Sequence, residues 1–276
     1  MSDNQQQVEF WNGAAGDVWV TAQVQLDTTL APLSEVAIEA ANVVAGERVI
    51  DVGCGCGSTS IAMAQKGAIV WGVDVSAPML AKAKERASEL SNVTFSETDA
   101  ATQNYTADHQ LIFSRFGVMF FADPVAAFTN LRQGLTDEGR LVFVCWQAMV
   151  KNDWVMVAGR AVQPFLSAPG VIDPNAPGPF AFADSDRIHT ILNEAGYADI
   201  EITSVTPSIK IGQDLDEAMR LLSQIGPVAR VLAELDENTD KKAEALAAAR
   251  TALGEHQTSA GINLGAAAWI VSARKQ

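Results

Sequence analysis

The stretch Val49-Ile50-Asp51-Val52-Gly53-Cys54-Gly55-Cys56-Gly57-Ser58 constrains this chain more than any other. It reads as a buried strand, a turn of alternating glycines and the first residue of a helix. Glycine has no Cβ, so a ligand or a neighbouring backbone can come close to such a turn. The start of the helix offers N–H groups without intrahelical partners and a partial positive charge. A second acidic residue, Asp74, closes the next apolar run, Ala68-Ile69-Val70-Trp71-Gly72-Val73. A carboxylate at that place is suited to a ribose diol. Together these features predict a pocket for a nucleoside-containing cofactor.

The rest of the chain supplies a frame for such a pocket. Strands are expected over Arg48–Val52, Ala68–Asp74, Val93–Glu97, Gln110–Ser114 and Arg140–Trp146, with helices over Ser58–Gln65, Ala77–Leu90 and Pro124–Leu135 between them. Ser76 is placed to cap the second helix and Pro78 suits its first turn. Ahead of the first strand, Leu30, Leu33, Val36, Ala37, Ala40, Ala41 and Val44 recur at helical spacing. They predict a helix over Asp27–Ala45, stopped by Gly46. Near-continuous apolar strands alternating with helices argue for a parallel sheet covered on both faces. Right-handed crossovers bring the loops after the strands to one edge, where ligands bind.

After Trp146 the rhythm changes. Helices are expected over Asp153–Leu166, Ser185–Ala195, Leu215–Ile225 and Lys242–Leu253, and strands near Ile200–Thr206 and over Ala266–Ala273. The proline- and glycine-rich Ser167–Phe182 reads as a loop, and Asp236-Glu237-Asn238-Thr239-Asp240 as a polar separator. The expected fold is therefore α/β, a doubly wound, mostly parallel, seven-stranded sheet with a helical cap. One domain spans 1–276. It divides into a helical lead-in over 1–45, a cofactor-binding core over 46–146, and cap segments over 147–183 and 207–260.

Composition narrows the partners. The formal net charge of −14 disfavours a nucleic-acid substrate, because binders of phosphate backbones usually present a basic face. The pairs Lys241-Lys242 and Arg274-Lys275 are isolated and read as solvated surface. No apolar run reaches the length needed to span a bilayer, so no membrane partner is expected. The polar Met1–Gln7 has no signal-peptide pattern and the three cysteines make an odd count, which reads as a cytoplasmic protein with reduced thiols.

Asp51, Gly53, Gly55 and Gly57 form D-x-G-x-G-x-G, which resembles the first motif of the class I S-adenosylmethionine-dependent methyltransferases. The resemblance continues in order through Asp74, Asp99-Ala100 after the third strand, Leu111-Ile112-Phe113-Ser114-Arg115-Phe116-Gly117-Val118-Met119-Phe120, Asp123-Pro124, Leu131-Arg132-Gln133-Gly134-Leu135 and the fifth strand, Arg140-Leu141-Val142-Phe143. It covers about 40–146 and looks like the methyltransferase 11, or ubiquinone- and menaquinone-biosynthesis, type. The resemblance implies transfer of a methyl group from S-adenosyl-L-methionine to a small-molecule substrate, with S-adenosyl-L-homocysteine as product. It implies that Asp51 and the backbone of Gly53, Cys54 and Gly55 hold the methionine moiety. Asp74, beside Val75, would take the ribose hydroxyls, Asp99 the adenine amino group and the backbone of Ala100 a ring nitrogen. Ser114 and Arg115 would line the sulfonium side.

The chain departs from the pattern in three places. Asp108-His109-Gln110 replaces an acid beside an aromatic residue, and Thr136-Asp137-Glu138-Gly139 keeps one glycine of a Pro-Gly-Gly. Arg115 is unusual after the fourth strand; it could hold the cofactor carboxylate, an anionic substrate or a surface acid. Phe10-Trp11-Asn12-Gly13 and Trp19 resemble an aromatic segment that folds over the cofactor, and equally fit a helix packed on the core. Phe116, Met119, Trp146 and Trp154, with Phe165, Phe180 and Phe182, are the leading substrate-pocket residues. Leu215–Leu253 fits a further part of the cover or the face of a homodimer. Cys54 and Cys56 read as small turn residues rather than metal ligands, since two thiolates need further ligands at suitable spacing. No metal and no general base is indicated by spacing. Two other readings stand beside methyl transfer: a protein that binds S-adenosylmethionine without chemistry, and an NAD-dependent oxidoreductase, against which the glycine spacing speaks.

Overall fold

The computed structural model describes residues 4–166, 173–235 and 240–276. Three helices lead in: α1 (Gln5–Asn12), α2 (Ala14–Thr21) and α3 (Gln23–Ala41). Leu26, Leu30, Leu33, Ala37 and Ala41 form the buried stripe of α3, as their spacing predicts. The helix begins before Asp27 and ends at Ala41, four residues short of the expected end. Asn42 takes φ +47° and its N–H bonds to the Glu39 carbonyl at 3.0 Å. Asparagine tolerates this left-handed conformation and closes the helix ahead of Gly46.

The alternating part follows as β1 (Arg48–Val52), α4 (Ser58–Gln65), β2 (Ile69–Asp74), α5 (Ala77–Arg86), β3 (Val93–Glu97), β4 (His109–Arg115), α6 (Pro124–Gln133) and β5 (Leu135–Trp146). Then come α7 (Asp153–Val162), α8 (Ser185–Glu194), β6 (Tyr197–Val205), β7 (Ser208–Gly212), α9 (Leu215–Leu222), α10 (Gly226–Glu234), α11 (Asp240–Gly254), β8 (Gln257–Thr258), β9 (Gly261–Gly265) and β10 (Ala268–Lys275). The main sheet has seven strands in the order β3-β2-β1-β4-β5-β10-β6, and β10 alone runs antiparallel to its neighbours. This is the expected doubly wound, mostly parallel sheet. The chain moves outward from β1 to β3, then returns to place β4 on the other side of β1. That reversal opens a crevice at the carboxyl ends of β1 and β4.

The core lies on both faces of the central strands. Leu111, Ile112 and Phe113 of β4 and Leu141, Phe143 and Val144 of β5 are fully buried. Phe128 of α6 packs on Phe143 at 5.6 Å between ring centroids and on Phe182 at 6.2 Å. The Tyr197 hydroxyl donates to the Phe128 carbonyl. Burying each such aromatic ring contributes about 2–3 kcal/mol.

Several boundaries differ from expectation for identifiable reasons. The helix expected to reach 90 stops at Arg86, and the one expected to reach 166 stops at Val162. Pro164 lacks an N–H to continue the second ladder, and a short 3-10 turn over Gln163–Phe165 follows. The helix begun at Leu215 ends at Leu222, and Gly226 at φ +73° with Pro227 starts α10, which periodicity does not reveal. The Thr136–Gly139 turn lies within β5, where the register with β4 shifts. Parts of the Ser167–Phe182 loop and of the polar separator, 167–172 and 236–239, lie outside the described residues.

A second sheet, β7-β9-β8, has no counterpart in the sequence pattern. Its strands are short and its main pairing joins Ser208 to Gly265, far apart in sequence. It docks on α3, where Thr29 Oγ1 donates to the Lys210 carbonyl and Gln25 Nε2 to the Ile211 carbonyl.

Candidate functional site

A cavity of about 1090 Å3 lies over the crevice between β1 and β4. The glycine turn, the ends of β2 and β4, and the Thr98–Ala100 segment form its floor. The lead-in helices, α7, the second sheet, α9 and α10 close it from above.

The floor is built by strand β2 holding the turn after β1. The N–H groups of Gly53 and Cys54 donate to the Val73 carbonyl at 2.9 and 3.2 Å, and Gly57 N–H to the Cys54 carbonyl at 2.9 Å. Gly55 N–H donates to Asp74 Oδ2 at 2.8 Å. Gly53, Gly55 and Gly57 all take positive φ, +66°, +53° and +79°. These turn amides are therefore spent inside the protein. What the turn offers a ligand is its open Cα surface: a Cβ on Gly55 would meet only Met79 Sδ, at 3.7 Å.

Asp74 stands at the cavity, Oδ2 accepting from Gly55 N–H and Oδ1 from Ser76 N–H at 2.9 Å. A carboxylate has roughly four acceptor sites, so accepting capacity remains. Burial pushes its pKa up, against the pull of the backbone amides of Ser76, Gly55 and Val75. Asp99 also lines the cavity, with Oδ1 accepting from Ala101 N–H at 2.9 Å. The Ala100 carbonyl is taken by the Tyr105 hydroxyl at 3.0 Å and by Asn130.

Asp51 lies behind the turn, fully buried and off the cavity wall. Its Oδ2 accepts from Thr59 Oγ1 at 2.8 Å and Ser60 Oγ at 2.6 Å, pinning the first turn of α4, while Oδ1 has no partner among the described residues. Desolvation lifts its pKa from 3.8 to about 6, although Ser60, Thr59 and the Arg115 charge oppose the rise. Between those values the folded chain holds a proton that the unfolded chain releases. Stability is therefore highest below about pH 4 and falls as the pH rises through about 6, by about 3 kcal/mol from this group. Asp51→Asn keeps an acceptor for Thr59 and Ser60 and abolishes the titration. The unfolding free energy of the wild type relative to Asp51→Asn should drop by that amount between about pH 4 and 7 in urea titrations. A constant difference would show that Asp51 titrates normally.

Ser114 does not reach the cavity. Its hydroxyl donates to the Val52 carbonyl at 2.8 Å and accepts from Gly117 N–H at 3.2 Å, tying the ends of β1 and β4 together. Arg115 does reach it. Its Nη1 donates to Ser34 Oγ at 3.0 Å, and no carboxylate of the described residues forms an ion pair with it. Burial lowers its pKa, while the Asp27 and Asp51 charges favour the cation. Pairing with a surface acid is thus not its role. Phe116 follows in a left-handed conformation, φ +60°, and its ring stacks on Trp146 at 4.2 Å, with Trp154 at 5.1 Å from Trp146. A non-glycine residue held in this region stores strain, and such residues cluster at functional sites.

The aromatic lead-in closes the cavity. Trp11 meets Trp19 at 6.1 Å and Phe120 at 5.1 Å, and Phe10 joins the wall. Asn12 clamps this segment to the loop after β2, donating to the Val75 carbonyl at 2.7 Å and accepting from Ala77 N–H at 2.9 Å. Trp154, Phe180 and Met119 reach the cavity, whereas Phe182 belongs to the Phe128 cluster.

Sequence reasoning places Asn12 and Gly117 in their motifs but misses their partners, which are distant in sequence. A third case is the ion pair of Arg86 Nη2 with Asp27 Oδ2 at 2.6 Å, with Ser58 and Gln23 also donating to Asp27. Arg86 Nη1 reaches the Cys56 carbonyl at 2.6 Å. Nothing in the spacing of positions 27, 58 and 86 signals this contact between α3, the turn and α5. Cys54 and Cys56 are buried free thiols. Desolvation raises Cys54 well above the ordinary value and Cys56 to about 11. No cluster of potential metal ligands occurs among the described residues.

Residues 49–139 match the family model of the methyltransferase domain. This segment is similar to the methyltransferase domain. It holds the turn, Asp74, Asp99 and Arg115. Over 118 residues the chain is 30% identical to aklanonic acid methyltransferase DauC of Streptomyces sp. (strain C5), covering 41% of this chain and 54% of that protein. The chain spans about half the length of the first curated relatives it matches. The fold of the whole resembles the YcgJ protein of Bacillus subtilis, at TM-score 0.58 and 19% identity, over 88% of this chain and 97% of that one. It also resembles the phosphoethanolamine N-methyltransferase 2 of Haemonchus contortus solved with S-adenosyl-L-methionine, at TM-score 0.56 and 19% identity, over 89% and 53%. The sheet is thus of the Rossmann-like methyltransferase type.

Proposed function

We propose that this chain transfers a methyl group from S-adenosyl-L-methionine to a small-molecule acceptor. The observation that carries the reading is the Asp74 carboxylate, fixed by two backbone amides beside the open glycine turn and still able to accept on the cavity side. That is the acceptor set a ribose diol requires. The open Cα face of Gly55 leaves room for the ligand backbone. Asp99 takes the adenine amino group, with the Ala100 backbone beside it. Gly53, Cys54 and Val75 form the adjoining wall. Arg115, which lines the cavity and is held by Ser34 Oγ at 3.0 Å, takes the amino-acid carboxylate. Asp51 acts at one remove, by fixing Thr59 and Ser60 at the start of α4.

Bound there, S-adenosylmethionine supplies an activated methyl group, and S-adenosylhomocysteine remains. The chain's own residues hold the acceptor in line and exclude water with Trp11, Trp19 and Phe120. The described cavity wall holds no His, Lys, Tyr or Glu. Its carboxylates are Asp27, Asp74 and Asp99; Asp27 is ion-paired with Arg86, and Asp74 and Asp99 accept backbone N–H groups.

The functional units are a lid over 1–45, the core over 46–146 and cover segments over 147–183 and 207–260. The net charge of −14 favours a small acceptor over nucleic acid. No helix among the described residues is long and apolar enough to cross a membrane. Three buried free thiols fit the reducing cytoplasm. α9 and α10 line the cavity, which favours a covering role over a homodimer face; sedimentation tests the latter.

Calorimetric titration with S-adenosylmethionine, S-adenosylhomocysteine and NAD tests the donor. The first two should bind and NAD should not; binding of NAD alone would sink the reading. Formation of S-adenosylhomocysteine across phenols, carboxylic acids, amines and activated methylenes separates an enzyme from a protein that only binds the donor.

A further inference from the structure

The carboxylates of the cavity wall, Asp27, Asp74 and Asp99, all precede β4 in sequence, where Arg115 also lines it, and no Asp or Glu lines it beyond Asp99 among the described residues. The part roofed by the later elements carries Arg160 and Arg230 instead. They stand on helices that touch: a Cβ on Gly159 of α7 would lie 3.2 Å from Pro227 of α10. Arg160 follows Gly159 directly, and Arg230 lies one turn beyond Pro227. Arg160 has no ion-pair or hydrogen-bond partner among the described residues; Arg230 has one, Glu234, by its Nε at 2.7 Å. In a chain of net charge −14, Arg160 brings to this part of the cavity a positive charge without a carboxylate partner among the described residues, and Arg230 adds a guanidinium that shares its charge with Glu234. The wall contributed by these later elements is otherwise mostly apolar, with Trp154, Met156, Phe180, Ile211 and Leu221 beside Gln163 and Gln224.

We propose that this end of the cavity binds an anionic acceptor, an extended and largely apolar molecule whose carboxylate or comparable anion meets Arg160 and Arg230. The inference rests on the methyl-transfer reading for the word acceptor, and on the cavity alone for the anion. Arginine suits the task because its planar fork pairs two oxygens at once and stays charged. The apolar wall supplies most of the contact area, and the cations set orientation and select against neutral analogues.

The probes are anilinonaphthalene sulfonate, apolar and anionic, and its neutral relative phenylnaphthylamine, both followed by fluorescence with S-adenosylhomocysteine present. Arg160→Gln with Arg230→Gln should weaken the sulfonate about tenfold or more and leave the neutral probe within about twofold. Arg160→Glu should weaken the sulfonate further. Arg274→Gln, on β10, serves as the remote control and should change neither. Equal weakening of both probes, or sulfonate binding indifferent to Arg160→Glu, would overturn the proposal. Both arginines are exposed, so the variants should fold; wild-type affinity for S-adenosylhomocysteine in each checks this. Loss of the arginine dependence with S-adenosylhomocysteine still binding rejects the anion site alone. Failure of S-adenosylhomocysteine to bind the wild type, with the arginine dependence intact in its absence, rejects the donor reading alone.

Discussion

Asp74→Ala should lower the affinity for S-adenosylhomocysteine by at least about a hundredfold in calorimetric titrations. The carboxylate would lose two charge-assisted hydrogen bonds to the ribose, worth about 3–6 kcal/mol together, or roughly two to four powers of ten. It would also strand the N–H groups of Gly55 and Ser76, which now donate to it at 2.8 and 2.9 Å. The variant should therefore be less stable as well as weaker in binding, and the two effects must be separated. Asp74→Asn does so. It retains an acceptor oxygen for one of the two amides and loses the charge, so its stability should fall less while its affinity still drops by about tenfold or more. Affinity unchanged in Asp74→Asn and Asp74→Ala would remove Asp74 from the ribose role.

Gly53→Ala should cost about 2–5 kcal/mol of folding stability, a large part of what a domain has to lose. Two effects add. A left-handed backbone costs an alanine about 1–2 kcal/mol, and Gly53 has φ +66°. The new Cβ would stand 2.7 Å from the Gly117 Cα, a backbone atom that cannot turn aside, and overpacking of this kind costs about 1–3 kcal/mol. Gly46→Ala is the control. Gly46 has φ +82°, but an added methyl there would meet nothing within 4 Å, so it should lose only the backbone part. Equal urea midpoints for the two variants would show that the Gly53–Gly117 approach carries no strain.

Gly53 illustrates how the site is only partly legible in the sequence. Its place in D-x-G-x-G-x-G marks the turn, and the sheet order, the cavity edge and the positions of Asp74 and Asp99 at strand ends follow from patterns local in sequence. The reason for the glycine does not. In the motif it reads as room for a ligand, yet its tightest neighbour is Gly117, at the end of a strand some sixty residues later. Asp51 behaves alike: the motif locates it, but only packing decides that it faces Thr59 and Ser60 rather than the cavity. Ser114 and Arg115 are adjacent on β4, so their side chains alternate across the sheet. The strand's register with β1 and β5 sends the serine inward to Val52 and the arginine to the cavity.

The two halves of the chain differ in what they reveal. Up to Trp146, strand and helix patterns repeat with the period of a parallel α/β sheet, and hydrophobic periodicity together with the glycine turn is enough to determine fold and cofactor edge. After it, the second sheet and α10 depend on pairing between distant short segments, such as Ser208 with Gly265, which leave no periodic trace. The sequence by itself determined the glycine-turn end of the cavity, because a turn and a strand-end carboxylate are local features. Only the tertiary structure decided that Arg160 and Arg230, on the packed helices α7 and α10, line the same cavity, because burial and charge there are set by contacts between residues that are far apart along the chain.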